Sequence, residues 1–181
     1  EVLKSRGLAE GLRAGEGIAD RSGSSFDVTI ALTPAGYDQW REVLSLAYKE
    51  IDLVKQQGIA QWRFEEQGAL ADQQFRFKEL SDPINRVSGL AANLQEYSYA
   101  DVMRGPYRMD EYDEALLKRM LEYLTPDNAM VMLMAPDVDT ARMTEKYQVP
   151  YGVTRVSSLP DVVAAQDQLA LPKANPFVAK N

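Results

Sequence analysis

The chain has 181 residues, of which 45% are hydrophobic, and its 20 Lys and Arg stand against 27 Asp and Glu for a net charge of -7. This length and apolar content suffice for one ordinary domain with a core, and they exclude a collagen-like or disordered chain. No His and no Cys occur, so the usual zinc ligands, thiolate nucleophiles, Ser-His-Asp triads and disulfides are excluded. The negative charge predicts that nucleic acid is not a partner.

No apolar run is long enough to span a bilayer. The longest, residues 129–135, has seven residues, whereas a membrane helix needs roughly 20. The first residue is Glu1, and the residues after it resemble the interior of a helix and contain no signal-peptide apolar stretch. We therefore expect no membrane span in this chain, and we expect the chain to be a piece of a longer protein.

The first half of the chain predicts one strand and two long helices. Apolar residues alternate with small or polar ones from Phe26 to Leu32, a pattern typical of a strand with one buried face. Thr33 and Pro34 supply the cap and first-turn proline of a helix whose apolar positions continue to Gly58. A second helix is predicted directly after Gly58.

The middle of the chain predicts two further helices. Asp82 and Pro83 repeat the cap-and-proline start. Another helix is predicted from about Asp110 to residue 124, with the turn residues 125–128 ending it. Its first turn would hold the acidic residues Asp110, Glu111, Asp113 and Glu114, where they complement the helix dipole.

The last third predicts two strands and one helix. Residues 129–135 are continuously apolar between turn signals, which is typical of a central strand buried on both faces. Residues 149–155 indicate another strand, residues 158–168 a short helix, and residues 171–177 an extended tail. Because the strands are far apart in sequence with helices between them, we predict an α+β fold in which helices pack on one face of a small, mostly antiparallel sheet.

A glycine-rich stretch, residues 7–17, is the first candidate site. It lacks the Gly-Lys-Ser/Thr ending of a phosphate-binding loop and a preceding strand. The glycines Gly11, Gly15 and Gly17 could end a helix. Alternatively, the backbone here is left unpaired and receives another peptide strand by edge addition.

Two other groups of residues carry weaker functional hypotheses. Glu65 and Glu66 are adjacent carboxylates, but neighbouring helical positions point about 100° apart, which favours a solvated or ion-paired role over a carboxylate-based hydrolase. An aromatic patch with an interspersed Arg could stack bases, although the net charge and the need for a core favour packing. This patch comprises Phe75, Arg76, Phe77, Tyr97 and Tyr99. Composition and pattern alone predict no catalytic residue.

Six strings in fixed order carry a resemblance to a known family. They are residues 3–9 (LKSRGLA), 32–36 (LTPAG), 61–66 (QWRFEE), 75–78 (FRFK), 147–151 (YQVPY) and 171–177 (LPKANPF). Together they resemble the second domain of insulinase-type (pitrilysin, M16) zinc metallopeptidases, over essentially the whole chain. The resemblance implies a metallohydrolase-like (LuxS/MPP-like) half-domain, truncated at its N-terminus, in residues 1–168, and an extended linker to the next domain in residues 169–181.

The resemblance also implies a function. Members carry four homologous domains around a chamber for peptides, and zinc sits in the first domain on an inverted His-x-x-Glu-His motif. This chain has no His, so the resemblance implies the non-catalytic domain, with no catalytic or metal-binding residue of its own and with zinc as cofactor of the full-length parent. The implied partners are peptide substrates and the catalytic and C-terminal domains of the same chain.

Family members hold the substrate's N-terminal end in this domain by adding it to a sheet edge. The matching exosite positions here are Leu12, Arg13, Ala14, Gly15 and Glu16, and the exosite's other strand would precede Glu1.

The bacterial relatives imply a periplasmic or secreted location in a Gram-negative organism. The alternative is an inactive assembly or interaction subunit of the same fold, as in processing peptidases.

Overall fold

The computed structural model describes residues 1–156, 158–160 and 169–178. In these residues the chain is α+β, as predicted, and its strands form two small antiparallel sheets, β1-β2 and β3-β4. Two 3-10 turns lie at Gly105–Tyr107 and Pro126–Asn128. The elements are α1 Val2–Ser5, β1 Ala9–Asp20, β2 Gly23–Leu32, α2 Pro34–Asp38, α3 Trp40–Gln57, α4 Gln61–Arg76, α5 Pro83–Asn93, α6 Glu114–Glu122, β3 Arg142–Met143 and β4 Pro150–Tyr151.

The chain divides into two compact units. The first comprises residues 1–53 and 123–170, and the second comprises residues 54–122 and 171–181. The domain boundary predicted at residue 168 falls at the end of residues 161–168, which lie outside the described residues, so it stays a prediction. The helix predicted over 158–168 falls mostly on the same residues.

The β1-β2 hairpin dominates the first unit. Its turn is closed by Asp20, whose carboxylate accepts hydrogen bonds from the backbone N–H of Ser22 (2.7 Å) and of Gly23 (3.1 Å). The predicted strand at 26–32 is confirmed within β2. The helix-stop explanation for the glycines at 11, 15 and 17 is wrong, because all three belong to β1. Of these three, only Gly17 is closely approached, since a Cβ there would overlap the Asp27 carboxylate, whereas Gly11 and Gly15 have open space at that position.

A small core lies where the hairpin meets α3. Leu8, Val43 and Leu46 are buried together, and the partly buried Leu3, Ile30 and Leu32 pack against them. Because Ile30 and Leu32 alternate along β2, they share the face that contacts α3. The prediction that this face is buried along the whole strand is wrong, since Phe26 and Val28 are exposed. The core covers only the end of the strand nearest α2.

Two of the six family strings, residues 3–9 and 32–36, meet around Leu8, in a contact region that we call the corner. Gly7 has a positive φ of 67°, and the Thr33 backbone N–H donates to the Leu8 carbonyl at 3.2 Å. The Thr33 hydroxyl donates to the Gly7 carbonyl at 2.6 Å and accepts from the Gly36 N–H at 3.0 Å. A Cβ at Gly36 would overlap the Leu8 carbonyl oxygen. The strings at 3–9 and 32–36 therefore form one closely packed junction.

The predicted helix starts are mostly confirmed. Thr33 caps α2, although the helix is interrupted at Gln39 before α3 begins. Gly58, with φ of 71°, follows the end of α3, as a left-handed residue after a helix commonly does. The helix predicted after Gly58 is α4, and Asp82 caps α5 through its carboxylate, which accepts from the Ile84 N–H at 3.0 Å.

The helix predicted from Asp110 begins later, at Glu114. Asp113 lies before its first turn, and its carboxylate accepts a hydrogen bond from the Leu116 N–H at 2.8 Å. Asp110 instead pairs with Arg108. Of the four acidic residues, only Glu114 lies in the first turn. Asp113 caps the helix from the position before it, and Asp110 forms its ion pair with Arg108.

The later strand predictions are largely wrong. Residues 129–135 form no strand with any described residue and are mostly exposed, not buried on both faces. The strand predicted at 149–155 shrinks to β4, which pairs with β3 through Arg142 opposite Tyr151 and Met143 opposite Pro150. Residues 171–177, predicted as an extended tail, contain no helix or strand, and a turn lies at 176–177. A strand forms only where a second backbone lies within hydrogen-bonding distance, and no backbone hydrogen bond joins residues 129–135 to another described residue.

Candidate functional site

The predicted exosite, Leu12 to Glu16, lies in the middle of β1. One edge of β1 pairs with β2, where Leu12 is opposite Ile30 and Glu16 is opposite Phe26. No described strand pairs with the other edge, since β1 and β2 form a two-stranded sheet. Among the described residues, that edge therefore presents unpaired main-chain N–H and C=O groups, the arrangement to which an extended peptide can add.

The regular part of the hairpin coincides with the predicted site. Register irregularities lie between Ala9 and Gly11 and again between Glu16 and Ala19. Between them, residues 11–16 pair without interruption. Since bulges twist a strand and disrupt its ladder, this six-residue stretch is the part of β1 whose free edge is regular enough to accept another strand.

The two faces of this stretch differ in chemistry. Leu12, Ala14 and Glu16 share one face with Ile30, Val28 and Phe26 of β2. The opposite face carries Arg13 and Gly15 against Thr29 and Asp27. The first face is thus mainly apolar and the second is small or charged. An added strand would meet small side chains at Ala14 and Gly15, which permits close backbone approach.

A second candidate is a cavity of 340 Å³ in the second unit. Its lining mixes aromatic rings with charged groups, and comprises Gln61, Phe64, Glu65, Gly68, Asp72, Arg104, Tyr107, Arg108, Met109, Asp110 and Tyr112. Both guanidinium groups already have carboxylate partners. Arg104 pairs with Asp72 at 3.2 Å, and Arg108 pairs with Asp110 and, at 2.8 Å, with Asp101.

Two carboxylates stabilise the positive charge of Arg108. Its hydrogen bond and Coulomb attraction to Asp110, with the further attraction of Asp101, raise the pKa of Arg108. The cavity lining therefore carries three carboxylates against two guanidinium groups, and neither Arg104 nor Arg108 is an unpaired cation. The charged groups of Arg104 and Arg108 in its lining are engaged in ion pairs that stabilise the fold, which makes them poor candidates for catalysis.

Glu65 and Glu66 are not brought together in this cavity. Glu65 lines it and accepts a hydrogen bond from the Gln61 side chain at 2.8 Å. Glu66 does not line it, and its carboxylate accepts the Asn175 backbone N–H at 2.8 Å. The two carboxylates thus serve different partners, as the angular separation of adjacent helical positions predicts.

The aromatic patch divides between packing and exposure. Phe75 contacts Tyr107 with ring centroids 5.6 Å apart, and the Tyr97 ring lies against Gly105 so closely that a Cβ there would overlap it. Phe77 and Tyr99 are largely exposed. The packing interpretation is therefore confirmed for Phe75 and Tyr97 and wrong for Phe77 and Tyr99.

Sequence reasoning missed the aromatic residues that line the cavity from outside the helices. Tyr107 lies at the end of a 3-10 turn and its ring contacts Phe75 at a tilt of 45°, while Lys78 donates to its hydroxyl at 2.9 Å. Tyr112 contacts Phe64 edge-on, with centroids 5.8 Å apart, and its hydroxyl donates to the Ile59 carbonyl at 2.6 Å. No periodic pattern marks either residue, because both lie between regular elements.

The described residues contain neither a cluster of metal ligands nor a membrane-spanning helix. Across residues 1–156, 158–160 and 169–178, no three carboxylates lie close enough together to hold a metal ion. None of the helices in this part of the chain has the length and apolar character needed to cross a bilayer.

The family model described as the middle or third domain of peptidase M16 matches residues 75–181. The chain therefore belongs to the M16 peptidase family. It is 29% identical to insulin-degrading enzyme-like 1, peroxisomal, of Arabidopsis thaliana, over 98% of this chain and 19% of that protein. It is 25% identical to Protease 3 of Salmonella typhimurium, over 97% of this chain and 19% of that protein.

The fold is similar to that of a crystal structure of pitrilysin, with a TM-score of 0.88 and 22% identity. That match covers 99% of this chain and 20% of the pitrilysin chain. The chain thus spans about a fifth of the length of the relatives it matches. The resemblance inferred from the six strings is confirmed, and the α+β fold with it.

Proposed function

We propose that this chain is the non-catalytic middle domain of a zinc metallopeptidase that degrades peptides. Family membership, together with relatives named insulin-degrading enzyme-like 1 and Protease 3, supports this role. The chain matches about a fifth of each relative, so the peptidase activity belongs to the full-length protein and not to this domain alone.

The residues of this domain do not fit a zinc site. The sequence has no His or Cys, which are the ligands that zinc prefers. The carboxylates of the described residues form no cluster for a metal. Zinc would therefore be held by another domain of the full-length protein, and the contribution of this domain is to bind and orient the peptide.

The free edge of β1 carries the proposal for how it does so. We assign the peptide's N-terminal end to residues 12–16, added as a strand on the side of β1 away from β2. Main-chain hydrogen bonds would supply the affinity, so many peptide sequences would be accepted. Fixing one end of a flexible peptide reduces the entropy cost of presenting a bond further along it.

Two proline substitutions in the full-length protein test the assignment, namely Ala14→Pro and Gly15→Pro. Backbone N–H groups of successive strand residues point to opposite edges, so one proline removes a donor facing β2 and the other removes a donor at the free edge. Amide hydrogen exchange of the hairpin identifies which variant keeps β1-β2 pairing intact. That variant should raise the Kd for a peptide at least about tenfold, as expected for about 1.4 kcal/mol of lost binding.

The matched controls are the same substitutions on β2, Val28→Pro and Thr29→Pro. The control that preserves the hairpin should leave peptide affinity unchanged, because β2 is not the proposed docking edge. Zinc content, measured by elemental analysis, should stay the same in all four variants. If the intact β1 variant binds peptide like the unaltered protein, residues 12–16 are not an exosite.

We also propose a periplasmic or secreted location for the full-length protein. Protease 3 from two Salmonella species supports a bacterial setting. One relative, in Arabidopsis, is named as peroxisomal, so the location of this protein needs its own test. Fractionation of the producing cells, with periplasmic and cytoplasmic marker enzymes, tests the location.

A further inference from the structure

One face of the regular stretch of β1 carries a single side chain. Alternate residues of a strand share a face, and on this face residues 11, 13 and 15 are Gly11, Arg13 and Gly15. A Cβ built on either glycine would have no atom within 4 Å. The face of β1 is therefore open on both sides of Arg13 along the strand, and its guanidinium is the only charge that residues 11–16 place there.

The guanidinium of Arg13 is not engaged within the part of the chain that the structure describes. Its side chain is exposed and forms no ion pair with any described residue. Asp27 lies opposite Gly15 on the same face, but its carboxylate is turned toward Gly17, where a Cβ would overlap it. Glu16 lies on the opposite face of the hairpin. Arg13 is thus free to pair with a group on an added strand.

The register of a strand added to this edge is not fixed by main-chain bonds alone. A slip by two residues returns every side chain to the same face and restores the same ladder of hydrogen bonds. Glycine-rich strands specify register weakly, and Gly11 and Gly15 flank Arg13 here. A lone charge between two glycines makes the alternative registers unequal, because only one of them places a given peptide side chain directly opposite Arg13.

We propose that Arg13 sets the register of the bound peptide by pairing with an acidic side chain near the peptide's N-terminal end. Residues directly opposite each other on neighbouring strands have Cβ atoms about 4.5–5.5 Å apart, so a peptide carboxylate opposite Arg13 lies within reach of its guanidinium. A guanidinium can donate two parallel hydrogen bonds to a carboxylate. The proposal rests on the proposed function, because it requires the peptide to add to the free edge of β1.

The proposal defines a class of substrate, namely peptides with one acidic residue in the extended N-terminal end. The peptide residues two positions away on either side can be large, because they would lie opposite Gly11 and Gly15, where the space is open. The net charge of -7 disfavours acidic peptides in general, so the preference should be confined to the one position that faces Arg13. Fixing that position also fixes how many residues separate it from the bond that is cleaved.

Binding of a peptide series to the full-length protein is the first test. The peptides carry Glu, Gln or Lys at one position of the N-terminal end at a time. At one position, Glu should give a Kd about two- to fivefold lower than Gln, as expected for a cross-strand pair of opposite charge. Arg13→Gln should remove this difference, Arg13→Lys should keep part of it, and Arg13→Glu should reverse it in favour of Lys. The matched control Arg86→Gln, at an exposed arginine of α5, removes the same charge elsewhere and should leave the difference unchanged.

The position of cleavage is the second readout, and a merely structural role of Arg13 would not move it. The probe peptide continues after its N-terminal end as a two-residue repeat, so bonds two residues apart are chemically alike. Moving the acidic residue two positions along the peptide should move the main cleaved bond two positions in the same direction, as identified by mass spectrometry. In Arg13→Gln both peptides should be cleaved at the same bonds. An unmoved cleavage site in the unaltered protein, or equal Kd values for Glu and Gln at every position, would overturn the proposal.

This proposal and the exosite assignment fail in different ways. The Gln peptide lacks the acidic residue, so its loss of affinity in the β1 proline variant that keeps the hairpin intact reports on the strand edge alone. If that loss occurs while substitution of Arg13 changes neither the Glu preference nor the cleavage site, only the register proposal is wrong. If the proline variant binds the Gln peptide normally, the exosite assignment is wrong and the register proposal with it.

Discussion

The corner at Leu8 and the surroundings of α4 are stabilised by different kinds of contact. At the corner, Leu8, Val43 and Leu46 are buried, and Gly36 lies against the Leu8 backbone. Around α4, in the second unit, no residue of the helix is fully buried, and the contacts are ion pairs and aromatic edges. Close packing tolerates little change in volume, whereas partly exposed ion pairs contribute little each. The corner should therefore be the more sensitive region to substitution.

The largest expected effect is that of Gly36→Ala. The added Cβ would overlap the Leu8 carbonyl oxygen, so the backbone must move and the free energy of opening the corner should fall by about 1–3 kcal/mol. Hydrogen exchange of the corner amides in the full-length protein measures this change. The control is Gly89→Ala in α5, where no atom lies within 4 Å of the new Cβ. The higher helix propensity of Ala should raise the free energy of unfolding of this helix by about 0.5–1 kcal/mol. Equal effects at both glycines would contradict the comparison.

An intermediate and salt-dependent effect is expected for Arg104→Gln. The Arg104 side chain is 59% exposed and Asp72 keeps a second partner in Arg76 at 2.7 Å. The pair should contribute only about 0.2–1 kcal/mol, measured as the coupling energy in a double-mutant cycle with Asp72→Asn. Raising the salt from about 0.1 M to 1 M shortens the Debye length to about 3 Å and should reduce the coupling. A coupling above 2 kcal/mol would show that this network is as important as the corner.

The smallest effect concerns the hairpin turn and pH. Hydrogen bonds from the Ser22 side chain, the Ser22 N–H and the Gly23 N–H lower the pKa of Asp20. Because this pKa is depressed in the folded state, the turn is favoured above the unfolded pKa, near 3.8, and this contribution is lost as pH falls through the folded pKa. Ser22→Ala removes the largest cause, so the pKa of Asp20 should rise toward its usual value in a carboxyl NMR titration. An unchanged pKa would show that the backbone donors alone suffice.

Local signals predicted the helix starts and the first strand well. Thr33-Pro34 and Asp82-Pro83 cap helices in the structure, because a capping side chain and a first-turn proline act on neighbouring residues only. The exosite prediction for Leu12 to Glu16 came only from the family resemblance. From its pattern alone, the glycine-rich stretch could be either the end of a helix or the edge of a strand. The structure places it in strand β1.

The sequence by itself determined the family, the α+β class and the absence of histidine and cysteine ligands, since these depend on which residues are present and in what order. Only the tertiary structure decided which strands find partners. Residues 11–16 pair on one side because β2 folds back beside them. Residues 129–135, equally strand-like in sequence, stay unpaired among the described residues. Pairing depends on a second backbone brought to the right distance, and a one-dimensional pattern does not contain that partner.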